Sequence, residues 1–162
     1  MPSLSNFPVA KQEGKDSCWA CVTRMINNYY VAAGKGGANK KIDTDTDLAK
    51  LVGKTIDKQE SAAAALATLK YANSADSAPI PTKEEIKDAV SDGTPLIAII
   101  AVDNPGGKRN LKAQQGHWVV IVGIEEDVIS VFDPDNGKIN TVAYGEKYNS
   151  WYWQNTSYVD GQ

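Results

Sequence analysis

Leu96-Ile97-Ala98-Ile99-Ile100-Ala101-Val102 is an unbroken apolar run dominated by isoleucine, valine and alanine. A short continuous run of this kind reads as a strand buried on both faces. It also divides the chain. Before it, apolar residues recur at helical spacing. After it come short apolar segments separated by turn residues. Helices first and then strands predict an α+β fold, with N-terminal helices packed on a C-terminal antiparallel sheet.

Working back from the run, Thr82 and Glu85 have the spacing of a capping box ahead of Ile86, Ala89 and Val90, in a helix that stops at Asp92-Gly93. Asp57 and Glu60 repeat that spacing ahead of an alanine-rich helix from Ser61 to Tyr71. A shorter helix from Thr46 to Val52 ends at Gly53. Residues 34–43 read as a flexible, basic surface loop. Val22, Met25 or Ile26, Tyr29 and Ala33 mark a first helix from about Cys18 to Ala33, with Ser17 as its N-cap and Gly34 as its stop. Working forward, residues 103–115 are polar and carry Pro105, Gly106 and Gly107. Strands follow at His117–Ile124, Val128–Phe132 and Lys138–Tyr144, and the alternating tail from Trp151 to Val159 can add a fifth. Asp133-Pro134-Asp135-Asn136-Gly137 is dense in turn residues.

A length of 162 residues suits one domain. Hydrophobic residues at 42% and charged residues at 23% are ordinary for a globular chain. The net charge of -3 argues against nucleic acid or an anionic membrane as a partner. No apolar run approaches the ~20 residues of a membrane span. The start, Met1-Pro2-Ser3-Leu4-Ser5-Asn6-Phe7, lacks the basic and apolar regions of a signal peptide. The expectation is a protein that is cytoplasmic in its producer or delivered into a target cell by a secretion system.

Gln12-Glu13-Gly14-Lys15-Asp16-Ser17-Cys18-Trp19-Ala20-Cys21 holds both cysteines, and the chain has one histidine, His117. Cys18 falls in the first turn of the first helix. One reading is a small buried thiol, since cysteine is among the most buried residue types. A second is redox chemistry, because Cys18-Trp19-Ala20-Cys21 is a C-x-x-C at a helix start; the βαβ context that motif expects is absent. A metal site would have only these three ligands, so no metal or other cofactor is expected.

The third reading is nucleophilic catalysis. It needs a thiolate, a base, an orienter for the base and donors for an oxyanion. A helix N-terminus favours a thiolate, because unpaired N–H groups and the dipole stabilise negative charge. His117 opens a strand after Gly116, so its ring can face a cleft while Val119 and Ile121 face the other way or inward. Asp133 ends the next strand, and a hairpin brings it beside His117. Gln12 precedes Cys18 in a loop, and its amide can join the Cys18 N–H as an oxyanion donor. Cys18, His117 and Asp133 are thus the candidate catalytic residues and Gln12 the oxyanion residue. Trp19 and Trp118 are candidates for binding substrate, as are Trp151 and Trp153; each serves equally well as core. Cys21 is taken as packing.

At these residues the sequence resembles papain-like cysteine peptidases of compact bacterial type. Gln12 to Cys18-Trp19 looks like the family's oxyanion and nucleophile segment. Gly116-His117-Trp118-Val119-Val120 looks like its histidine strand, and Val131-Phe132-Asp133-Pro134 like the strand that ends in its third member. The likeness covers about residues 10–33 and 93–137, and residues 34–92 carry none of it. The orienter is Asp133, whereas papain uses Asn. The resemblance implies an endopeptidase acting on a protein or peptide, with cuts after small residues such as Gly-Gly if it follows the double-glycine leader peptidases. Likeness to effector and interbacterial toxin proteases implies a cognate immunity or inhibitor protein. The same scaffold can also run deamidation or transamidation.

Overall fold

The computed structural model describes residues 3–75, 80–102, 116–148 and 151–162. The polar loop expected over 103–115 lies outside the described residues. The elements run α1 (Cys18–Ala32), α2 (Asp45–Leu51), α3 (Ala62–Thr68), β1 (Asn73–Ala75), α4 (Lys83–Ser91), β2 (Leu96–Val102), β3 (Gly116–Glu125), β4 (Val128–Asp133), β5 (Lys138–Ala143) and β6 (Trp151–Val159). The fold is the expected α+β arrangement, helices on an antiparallel sheet.

The helix boundaries follow local chemistry, with two corrections. Thr82 and Glu85 form the expected capping box on α4. The alanine-rich helix is capped by Ser61, whose hydroxyl accepts from Ala64 N, and not by the Asp57–Glu60 pair. Ser17 sits at the N-cap of α1 without capping it through its side chain. Its hydroxyl is turned back into the preceding loop, where it accepts from Gly14 N at 2.9 Å. The first-turn amides of α1 thus have no side-chain cap, which bears on the site below.

The sheet order is β1-β6-β2-β3-β4-β5. The described β2 pairs with β3 and β6, both antiparallel, so the run that organises the sequence is interior to the sheet. Leu96, Ile97 and Ala98 are fully covered, as a strand apolar on both faces should be. Strand β1 was not foreseen. Asn73-Ser74-Ala75 has no strand pattern of its own and is ordered by pairing with Tyr158 and its neighbours on β6.

Alternation sets which residues share a face. His117, Val119 and Ile121 of β3 lie on one face, as do Ile129, Val131 and Asp133 of β4, with Ile121 paired to Val131. Val119 and Ile121 therefore do not turn away from His117. They continue its face inward and line an apolar cavity with Ile129 and Val131. The opposite face, with Val120 paired to Phe132, meets the helices. There Phe132 packs against Phe7, and Phe7 against Tyr29 of α1, at ring centroids of 5.8 and 5.5 Å. Burying each such ring stabilises the fold by roughly 1.5–3 kcal/mol, which fixes α1 across the sheet.

The N-terminal arm ties the two layers together. Leu4 N donates to Val122 O of β3 at 2.7 Å. Further along, Gln12 N donates to Pro134 O at 2.7 Å. Gly137 makes that approach feasible: its φ is +69°, and a Cβ there would lie 2.7 Å from Lys11 N. A side chain at this turn would be strained and would push the arm away.

Candidate active site

Two ends meet at the site. The start of β3 and the end of β4 are neighbours in an antiparallel hairpin, so His117 and Asp133 come together. The Gln12–Pro134 bond holds the loop before α1 against the same corner. A cleft of about 370 Å³ opens there, with Gln12, Cys18, Gln59, His117, Asp133 and Tyr148 in its wall.

Within it, His117 Nε2 lies 2.7 Å from Asp133 Oδ1. An ionised carboxylate only accepts, so Nε2 carries the proton and Nδ1 is the nitrogen left for other work. Burial by itself would lower the His117 pKa. Hydrogen bonds to Asp133 and Cys18, and the charges of both, outweigh it and push the pKa up to about 9. Burial would likewise raise Asp133. Its bond to His117, the imidazolium charge, the Asp135 N–H and the Tyr148 hydroxyl hold it below the usual carboxylate range instead. Hydrogen bonds to Cys18 and Asp133 thus both favour the protonated form of His117.

Cys18 and Cys21 are both free thiols and both buried. Cys21 faces away from this chemistry: its Sγ donates to Ala10 O at 3.3 Å. Burial, with the charge of Asp45 behind it, pushes the Cys21 thiol well up, away from thiolate character.

Gln12 reaches the cleft, but its amide is not idle. Nε2 donates to Gly14 O at 2.7 Å and to Lys15 O at 3.1 Å. An oxyanion would have to take one of those hydrogens. Its Oε1 is buried without a hydrogen-bond partner among the described residues.

The tryptophans require a correction. Trp19 is 0% exposed and has no surface to offer a substrate. Trp118 packs against the core and is absent from the described cleft wall. Their indoles instead bracket one loop: Trp19 Nε1 donates to Lys58 O at 2.9 Å and Trp118 Nε1 to Glu60 O at 3.2 Å. Between those carbonyls sits Gln59, which does line the cleft. Trp153 lines the apolar cavity on the far side of Tyr148, and the Trp151 side chain lies outside the described residues.

Three further participants escaped the sequence. Tyr148 donates its hydroxyl to Asp133 Oδ2 at 2.8 Å. Arg24 and Asp45 form a buried ion pair at 2.8 Å just behind the loop that precedes Cys18. Asp45 Oδ2 also accepts from Glu13 N at 2.8 Å and from the Ser17 hydroxyl at 3.3 Å, so α2 braces the segment between Gln12 and Cys18. The one available signal was Arg24, a charge amid Cys21, Val22, Met25 and Ile26.

A C39-like peptidase from Bacillus anthracis has the same fold, with a TM-score of 0.64 and 17% identity over 98% of this chain and 96% of that one. The peptidase domain of Streptococcus ComA, a bifunctional ABC transporter of a quorum-sensing pathway, superposes with a TM-score of 0.60 and 15% identity. That match covers 97% of this chain and 100% of the other. No curated protein matches the chain. The profile of the Peptidase_C39 like family matches residues 4–160, and the chain therefore belongs to that family, a cysteine peptidase of compact bacterial, papain-like type.

Proposed function

We propose that the protein is an endopeptidase that cuts a protein substrate through Cys18, His117 and Asp133. One observation carries this reading: Cys18 shares a cleft with a His117 ring whose far nitrogen is 2.7 Å from Asp133. Cys18 and His117 act as a thiolate–imidazolium pair. The Cys18 sulfur attacks the scissile carbonyl carbon. The oxyanion is held by the Cys18 N–H at the uncapped start of α1 and by Gln12, which turns a hydrogen from Lys15 O, the longer of its two bonds. His117 gives its proton to the leaving amine, which departs and leaves a thioester. His117 then takes a proton from water, whose oxygen attacks the thioester and frees the acid and Cys18. Asp133 keeps the ring in the tautomer this requires.

The resemblance to double-glycine leader peptidases supports cuts after small residues. The same resemblance, extended to effector and toxin proteases, supports delivery into a target cell and a cognate immunity protein that plugs the cleft. N-terminomics of a cell lysate treated with wild type or Cys18→Ala tests the core of the reading. New N-termini should appear with wild type only, preceded by small residues. Undiminished cutting by Cys18→Ala would falsify the mechanism, bulky residues before the cut would remove the substrate preference, and a +1 Da shift without a cut would mean deamidation. Expression in a bacterial cytoplasm should be toxic for wild type and harmless for Cys18→Ala; equal growth removes the toxin assignment.

A further inference from the structure

Asp133 has two carboxylate oxygens, and only one faces His117. Oδ1 takes the bond from His117 Nε2 at 2.7 Å and the bond from Asp135 N at 2.9 Å. Oδ2 takes the Tyr148 hydroxyl at 2.8 Å. The last torsion of an aspartate is broad and two-fold, so bonds to one oxygen leave it room to turn that a bond to the second removes. Here the second is held by a residue far from the hairpin in sequence, beyond β5.

Tyr148 is itself anchored. Its ring packs against the core and lines the apolar cavity with Ile129, Val131, Val142 and Trp153, while its hydroxyl end lines the cleft with Cys18 and His117. Apolar packing fixes the ring, and the ring fixes the hydroxyl. Burial, together with the hydrogen bond to Asp133 and the charges of Asp133 and Asp135, pushes the Tyr148 phenol up from its ordinary value. The phenol therefore stays a donor wherever the enzyme works.

We infer that Tyr148 is a positioning residue: its hydroxyl holds the second oxygen of Asp133 so that the first stays aimed at the His117 ring. The inference rests on the catalytic reading above, and it adds a fifth side chain to Cys18, His117, Asp133 and Gln12. Tyr148 acts through Asp133.

Because His117 is the only histidine, its Hε1 proton gives the one titrating imidazole Hε1 signal of the chain. The ionisable groups around it in the described cleft are Cys18 from α1, Lys15 from the loop before it, Asp133 and Asp135 at the end of β4, and Tyr148. Tyr148→Phe keeps the ring and its packing and removes only the donor. Wild type should titrate near pH 9. In Tyr148→Phe the midpoint should fall by about one pH unit, toward the ordinary histidine value, as the carboxylate swings from the ring. An unchanged midpoint means Tyr148 does not position Asp133. A raised midpoint means the hydroxyl only drains charge from a carboxylate that stays in place. Either result overturns the inference, provided the urea midpoint shows a folded variant. Trp153 lines the cavity but not the described cleft, so Trp153→Phe should leave the titration unmoved; a fall there as large as in Tyr148→Phe would assign the effect to cavity packing. The titration needs no substrate, so failure to find a cleaved protein would count against the peptidase reading and leave this result standing.

Discussion

Two buried carboxylate–cation pairs flank the loop before Cys18, at almost the same length. Arg24–Asp45 stands at 2.8 Å and His117–Asp133 at 2.7 Å. Their carboxylates are pushed in opposite directions. For Asp45, burial raises the pKa and outweighs the lowering by Glu13 N–H and Arg24. For Asp133, burial is outweighed by His117, Asp135 N–H and Tyr148. The cations differ more. A guanidinium does not give up its proton in proteins, whereas an imidazole exchanges it within the range where enzymes work. The first pair can therefore only hold, and it holds Glu13 and Ser17. The second can hold and also pass a proton, and it opens on a cleft. Chemical role follows from the titratable partner and its access to solvent, not from the strength of the pair.

The comparison breaks most sharply on activity. His117→Ala should lose at least about a thousandfold in cleavage rate, because it removes the group that both takes and gives the proton. Asp133→Ala should retain tens of times more activity than His117→Ala, since an orienter costs less than the base it orients. Both variants lose the buried pair and should unfold in urea at a lower midpoint than wild type, so activities are compared at a temperature where each transition shows a folded protein. Equal losses in the two would make Asp133 part of the proton transfer itself and erase the distinction between holding and reacting.

The converse experiment acts on stability. Asp45→Ala leaves Arg24 as a buried charge without its partner, and such losses cost about 3–5 kcal/mol. Urea unfolding, followed by the fluorescence of the buried Trp19, should show a large drop in midpoint. Replacing both partners, Arg24→Met with Asp45→Leu, should recover part of it. Recovery is incomplete because Glu13 N then loses its acceptor. A fully stable Asp45→Ala would mean that the pair does not brace the loop.

These two pairs also show what the chain disclosed by itself. His117 and Asp133 were legible because they sit at strand ends joined by one hairpin, where periodicity and turn chemistry fix who meets whom. Cys18 was legible because a loop becomes a helix there. Arg24 and Asp45 lie on separate helices, 21 residues apart; no short-range rule connects them. Tyr148 was hidden for the same reason, since it enters the site across the β5–β6 connection. Strand β1 has no pattern of its own and exists by pairing with β6. From the sequence, Trp19 and Trp118 fitted the cleft and the core equally well. Their indole nitrogens show a different task, gripping the carbonyls on either side of Gln59. Gln12 was read to the right corner, but the loop carbonyls that occupy its amide could not be seen from spacing.

The smallest expected effect is a slope of stability with pH, and it separates the pairs without touching catalysis. His117 is raised from 6.5 to about 9 on folding. Between those values the folded chain keeps a proton that the unfolded chain has released, so its contribution is whole below pH 6.5 and fades as pH rises through about 9. Arg24 releases no proton in that window and adds no such slope. Subtracting the melting curves of His117→Gln from those of wild type isolates the effect, because glutamine can still donate to Asp133 but does not titrate. The difference in melting temperature should be largest near pH 6 and shrink toward pH 9. A difference that is flat with pH would mean that His117 is neutral in the folded protein. In that case its pair with Asp133 would hold the ring as Arg24 holds the loop, and the proton for the leaving amine would have to come from another group.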